Sequence, residues 1–316
     1  MQSIFENCWY LTGATAVGKT AVGLALARRL GAEILSLDSM AIYRGMDIGT
    51  AKPTIEERSM VPHHLIDIVD PSDEFSVANY VDAAAEAVSK LRERGKEVLF
   101  VGGTPLYLKS LLRGLFAGPP ADWQLRKDIA AELEQVGDAA LYERLKQLDP
   151  IAASNIHPHD TRRLIRALEV LRATGVPISH QQTQFEEGQP AEACRVFVLR
   201  RTRAEQHARI EKRVDAMLDA GLIDEVQQLM SNGREFSRTA RQAVGYREAL
   251  EHLAGNYDRD EMAERMKARS RRFAKRQGTW FRSLSECRFI DIADEVNADE
   301  LADQIATAGD HLVTGQ

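Results

Sequence analysis

The residues GATAVGKT, 13–20, fit the pattern GxxxxGK[ST]. The apolar run WYLT (9–12) precedes them, and TAVGLALARRL (20–30), apolar at helical spacing, follows. Strand, glycine loop and helix in that order are the context a phosphate-binding loop requires. Glycines let backbone N–H groups close around phosphate oxygens, and the helix N-terminus adds a favourable dipole. Lys19 neutralises charge and the Thr20 hydroxyl suits Mg²⁺. Gly13, Ala14, Thr15, Ala16, Val17, Gly18, Lys19 and Thr20 are therefore the expected diphosphate-binding set, with Thr20 as the metal ligand. Such a loop recognises a diphosphate; it does not by itself recognise adenine.

Outward from the loop, AEILSLDS (32–39) reads as a second buried strand ending at Asp38, and KEVLFVGGT (96–104) as another ending at Gly102 and Gly103. Between them, residues 76–94 are alanine-rich with helical periodicity and stop at Gly95. Strands alternating with helices imply an α/β fold, a P-loop NTPase-like parallel sheet flanked by helices. The punctuation changes at 114–120, where two glycines and the pair Pro119 and Pro120 interrupt the pattern. From 122 to 174 only helical stretches occur, and a strand, CRVFVLRR, returns at 194–201. The expected organisation is a first core part at 1–120, a small all-helical insertion at 121–193, and a second core part at 194–316. That last part reads as mainly helical, with a late strand RFIDI at 288–292.

Composition bounds the function. With 316 residues, 44% hydrophobic and 28% charged, the chain is neither disordered nor fibrous. No apolar run approaches the ~18–20 residues of a membrane span, and MQSIFENCWYL lacks the grammar of a secretory signal. The expected compartment is the cytoplasm. Cys8, Cys194 and Cys287 match neither a disulfide framework nor a zinc clip. The net charge of −6 hides an uneven distribution: between Arg265 and Arg282 stand eight basic residues and no acidic one. Phe273, Trp280 and Phe281 interleave them, the combination that attracts phosphate and stacks bases, although a solvated helix face packed on a core has the same composition. A second basic cluster, Arg162, Arg163, Arg166 and Arg172, lies on the insertion.

A strand beside the loop of an ATP-hydrolysing enzyme normally closes on an acid that helps hold Mg²⁺. Here VLFVGGT closes on glycines. Asp38 closes a different strand, where it can hold metal, accept a proton or cap the next turn. Thr104 can cap the helix after it or project into the cleft at the strand ends.

Taken together, the motifs resemble the tRNA dimethylallyltransferase (tRNA isopentenyltransferase) family, in its compact bacterial form. Beyond the loop, the matches are DSMAIYRGMDIGTAKP (38–53), HHLIDIVDP (63–71), VGGTPLYLKSLLRG (101–114) and RRLIRALEV (162–170). RVDAMLDAGLIDEV (213–226), AVGYRE (243–248) and AKRQGTWFR (274–282) continue them, so the resemblance covers nearly the whole chain. Two positions depart from the family pattern: Ala41 stands where many members carry glutamine, and His159 where asparagine often precedes the aspartate.

The resemblance implies transfer of a dimethylallyl group from dimethylallyl diphosphate to N6 of the adenosine immediately 3′ of the anticodon in certain tRNAs. It implies catalytic roles for Asp38, as general base, and for Thr104 and Arg213, with Mg²⁺ on Thr20. It maps tRNA contact onto Asp38, Ser39, Met40, Ala41 and Thr104, and onto Arg126, Arg162, Arg163, Leu164, Ile165 and Arg166 of the insertion. Arg241, Gln242, Ala243, Val244, Gly245 and Tyr246 follow, then Lys275 and Arg276. The expected partners are the anticodon stem-loop and the prenyl diphosphate, with no membrane, and the expected state is a monomer. On the loop and Asp38 alone, a small-molecule kinase using ATP is the rival, and an RNA-binding protein with a vestigial loop is the other.

Overall fold

The computed structural model describes residues 2–114, 118–181, 188–231, 235–293 and 297–311. They divide into two compact units, residues 1–112 with 188–316, and residues 113–187.

The first unit is built on six parallel strands in the order β3-β2-β4-β1-β5-β6. They are β1 (Trp9–Gly13), β2 (Ala32–Leu37), β3 (His63–His64), β4 (Glu97–Gly102), β5 (Val196–Arg200) and β6 (Arg288–Asp291). Five correspond to runs legible in the sequence. The sixth, β3, is two residues long, too short to show any periodicity.

Side chains alternate between two cores. Trp9, Leu11, Ile34, Leu99, Phe197 and Leu199 join one buried cluster, whereas Tyr10, Leu35, Leu37, Val98, Phe100, Val196 and Val198 join another. Both faces of the sheet are thus covered, which is why its strands read as continuous apolar runs. The helices Lys19–Leu30 and Ala298–Asp310 supply the first layer, and Val77–Glu93 supplies the second. Ser76 caps the last of these in a reciprocal capping box with Asn79. Register decides the site: Thr12 and Leu37 both pair with Gly102, so β1, β4 and β2 stop side by side. Open parallel sheets bind ligands at that edge.

The second unit is helical, with Trp123–Leu148 (broken at Gly137), Pro150–Asn155, Thr161–Thr174 and Ile178–Gln181 around a core that includes Ile129, Leu141, Leu145, Leu164 and Leu168. Asp122, Asp149 and Asp160 cap the first three. The Glu169 carboxylate is fully buried and receives Arg126 Nε (3.0 Å), Arg166 Nη1 (2.6 Å) and the Asp122 amide (2.8 Å). Burial pushes its pKa up, but the hydrogen bonds from the two arginines outweigh it and hold the carboxyl below its ordinary value.

Removing one member of such a network strands the other charges. Glu169→Ala should destabilise the helical unit by about 3–5 kcal/mol at neutral pH, measured by denaturant unfolding. Because the folded-state pKa is depressed, this stabilisation is present above the ordinary glutamate range and fades as pH falls through the folded value. The gap between parent and variant should therefore narrow in acid; a gap independent of pH would assign the loss to packing alone.

Candidate active site

Gly13 ends β1 at φ +144°, and a Cβ there would lie 2.5 Å from the Leu199 carbonyl, so no other residue turns the chain here without displacing β5. The loop then enters the helix Lys19–Leu30, whose N-cap, Gly18, offers no side-chain acceptor to the first amides. A helix start without such a cap leaves its first amides available to an anion.

The loop is clamped from outside through its carbonyls. Gln206 Nε2 donates to Thr15 O (2.9 Å), Arg209 Nε to Ala16 O (2.8 Å) and Arg201 Nε to Val17 O (2.9 Å). Gln206 and Arg209 come from one helix, Arg203–Asp219. On the other side buried Gln277 accepts from the Thr15 amide (2.9 Å) and donates to Gly103 O (2.5 Å), tying the loop to the end of β4. Thr15, Ala16, Gly18, Lys19 and Thr20 of the loop line the adjoining cleft.

Two cations meet inside. Lys19 Nζ donates to Gly13 O (3.0 Å) and Ala14 O (2.9 Å). Its pKa is pulled down to about 8 by burial and by the Arg213 charge, with Asp38 opposing. Arg213 reaches Thr15 Oγ1 and Thr50 O, each at 3.4 Å, and burial lowers its pKa while Asp38 again opposes.

Asp38, just past β2, caps the next turn and lines the cleft. Oδ1 accepts the Met40 amide (2.8 Å) and the Ala41 amide (3.3 Å), which shapes the turn, while the residue lines the same cleft as Lys19 and Arg213. Thr104 Oγ1 accepts the Ser39 amide (3.1 Å), and the Thr104 amide donates to Leu37 O (3.1 Å). Its hydroxyl thus pins the turn after Asp38 to the end of β4. The cleft measures about 560 Å³, with Ile34, Ala41, Ile66, Val101 and Phe273 giving part of its wall an apolar character.

Thr20 is exposed at the cleft and Asp38 shares its lining. A phosphate-bound Mg²⁺ asks little of a protein, since it keeps several waters and uses phosphate oxygens. The Thr20 hydroxyl fits that role, which leaves the second oxygen of Asp38 uncommitted. Among the described residues no group of three or more His, Cys, Asp or Glu forms a dedicated metal cage.

The other sequence-predicted residues separate by burial. Lys275 and Arg276 are exposed on the helix Arg259–Arg282. Arg241 is exposed and Gln242 half-buried on a short 3₁₀ turn, but Ala243, Gly245 and Tyr246 are buried. Tyr246 donates its hydroxyl to Glu225 and faces the core, so its side chain is a structural strut. In the helical unit Arg162 and Arg163 are exposed, Ile165 is half-buried and Leu164 is buried in the core; Arg126 and Arg166 are engaged by Glu169. The sequence reading passed over Gln277, Gln206, Arg201 and Arg209. Gln277 lies within the block 274–282 but carries no charge to notice, and the other three read as ordinary solvated polar residues.

The chain is similar to proteins of known family. A family model described as IPP transferase matches residues 41–284. A tRNA dimethylallyltransferase of Rhodopirellula baltica is 49% identical over 306 residues, 94% of this chain and 92% of that protein. One of Syntrophobacter fumaroxidans is 47% identical over 90% of this chain and 83% of its own length. The crystal structure of a tRNA isopentenylpyrophosphate transferase from Bacillus halodurans superposes with a TM-score of 0.71 at 39% identity, covering 98% of both chains. A eukaryotic dimethylallyltransferase acting on tRNA superposes with a TM-score of 0.78 at 27% identity, covering 98% of this chain and 80% of that one.

The lowered pKa of Lys19 makes anion binding depend on pH. Below about 8 the ammonium is charged and suits an anion; above it the charge is lost. Affinity for inorganic diphosphate, measured by calorimetry, should fall between pH 7 and 9 in the parent relative to Lys19→Arg, which keeps its charge. Identical pH profiles for the two would remove Lys19 from the anion site.

Proposed function

The chain belongs to the IPP transferase family, and we propose that it transfers a dimethylallyl group from dimethylallyl diphosphate to N6 of the adenosine immediately 3′ of the anticodon in tRNA. The observation that carries this reading is one cleft whose wall holds Lys19, Arg213 and the phosphate loop together with Asp38.

The chemistry follows from what each group can do. An exocyclic adenine amine is a weak nucleophile because its lone pair is delocalised into the ring, so a carboxylate that takes its proton assists attack. Asp38 supplies that carboxylate through Oδ2, the oxygen its turn does not use. As the C–O bond of the allylic diphosphate breaks, its carbon becomes cation-like and the departing oxygens gain negative charge. The new N6–C bond forms at that carbon, the N6 proton passes to Asp38, and diphosphate leaves. Lys19, Arg213 and the loop amides stabilise the leaving group. Mg²⁺ held by Thr20 and the phosphates would add charge neutralisation there. Thr104 serves by fixing the turn that carries Asp38. The apolar part of the wall suits a five-carbon chain.

The target base must leave its stack, which costs a few kcal/mol and least in a loop. Basic contacts to the tRNA backbone offset this, from Arg272, Lys275 and Arg276 on one unit and from Arg162 and Arg163 on the other. Among the described residues no helix is long and apolar enough to cross a membrane.

Purified protein with Mg²⁺, radiolabelled dimethylallyl diphosphate and unmodified tRNA should place label in the RNA. Phosphoryl transfer from ATP, without response to the prenyl donor, would overturn the reading in favour of a kinase. Asp38→Ala should lower turnover by about 10²–10⁴-fold with little change in tRNA affinity. A variant that loses binding instead would make Asp38 a recognition residue. Neutralising Arg162 and Arg163 should weaken tRNA binding and flatten its salt dependence by roughly one unit of slope per lost phosphate contact. An unchanged slope would remove both arginines from the RNA.

A further inference from the structure

Residues 38–53 carry Asp38 at one end and Thr50 near the other, and both line the cleft. The Thr50 end is held by groups outside the cleft. Glu225, on the helix Leu222–Ser231, accepts the backbone amides of Asp47 (3.0 Å) and Ile48 (2.9 Å) on Oε2. Its Oε1 accepts the Tyr246 hydroxyl at 2.5 Å. One carboxylate thus fixes two consecutive peptide units, each by a charge-assisted bond. The fully buried Tyr246 ring lies against Gly49, where a Cβ would stand 2.4 Å from a ring carbon, so glycine alone lets the segment rest on the ring. The next residue, Thr50, offers its carbonyl to Arg213 Nη2 at 3.4 Å, and Arg213 Nη1 reaches Thr15 Oγ1 in the phosphate loop. Neither Glu225 nor Tyr246 lines the cleft itself.

We propose that Glu225 and Tyr246 are positioning residues for the transfer reaction, a latch that fixes residues 47–50 so that the Thr50 carbonyl aims Arg213 at the phosphate loop. This rests on the reading of residues 13–20 as a diphosphate site. Lys52 closes the same segment from the opposite side, its buried ammonium bonded to Tyr43 O (2.5 Å), Asp47 Oδ1 (2.6 Å) and Asp67 Oδ1 (2.5 Å). With Lys52 holding the segment down, Glu225 and Tyr246 set where its tip lies. Releasing the tip leaves Arg213 without its guide while the segment stays attached.

The test uses the full chain and inorganic diphosphate with Mg²⁺, read by calorimetry, on variants shown to be folded by thermal unfolding. Glu225→Ala should weaken diphosphate binding about tenfold, within the range a displaced supporting group costs. Tyr246→Phe, which removes one oxygen and keeps the ring, should weaken it less, and Glu225→Gln, which keeps an acceptor for both amides, should recover most of the affinity. In an Arg213→Ala background Glu225→Ala should cost nothing further, because the route through Arg213 is already gone. A full additional loss in that background, or unchanged binding in both Glu225→Ala and Tyr246→Phe, overturns the latch. Failure of the parent chain to bind diphosphate overturns the reading of the loop, and the latch with it; binding by the parent with no effect of the variants overturns the latch alone.

Discussion

Two like charges taken out of water in one cleft, Lys19 and Arg213, are the constraint around which the first unit is arranged. Burial lowers the pKa of both, the Arg213 charge lowers that of Lys19 further, and Asp38 opposes the shift in each. A pair of this kind persists when the surrounding structure over-determines it, and here it does. The Lys19 ammonium is bonded to two loop carbonyls, and Arg213 is bracketed by Thr15 and Thr50. The donors are in place before an anion arrives, so little reorganisation remains for the moment when charge moves onto a leaving group.

Much of this architecture was legible in the sequence because it follows local rules. The buried strands declare themselves through unbroken apolar runs, and the loop through its glycines and Lys19. Asp38 was left between capping a turn and serving in the cleft, and the structure shows one oxygen capping and the residue lining the cleft. What local rules do not carry is pairing across the chain. Gln277 meets Thr15 across 262 positions, and Glu225 meets Asp47 across 178, with neither residue marked by pattern or charge run. Tyr246 entered through the resemblance, which maps tRNA contact onto residues 241–246, and its ring is fully buried here.

The helical unit makes the same point about arginine. Its cluster reads as a basic face, yet Arg126 and Arg166 are engaged by a carboxylate buried in their own unit, and Arg172 by Glu132. Counting positive charges therefore overstates what such a face offers to phosphate. Arg162 and Arg163 are exposed, unlike Arg126 and Arg166, although Arg163 has Asp160 within 3.2 Å.

The clamp on the phosphate loop bears on how the molecule is made. Loop residues near the start of the chain take their shape from Arg201, Gln206, Arg209 and Gln277, and β1 lies between β4 and β5. A nascent chain that has emerged only as far as its first hundred residues holds the whole GATAVGKT signature but none of the side chains that turn its carbonyls outward. The clamp cannot close until residue 277 has been made, so products truncated before it carry the motif without its competence to grip a polyphosphate.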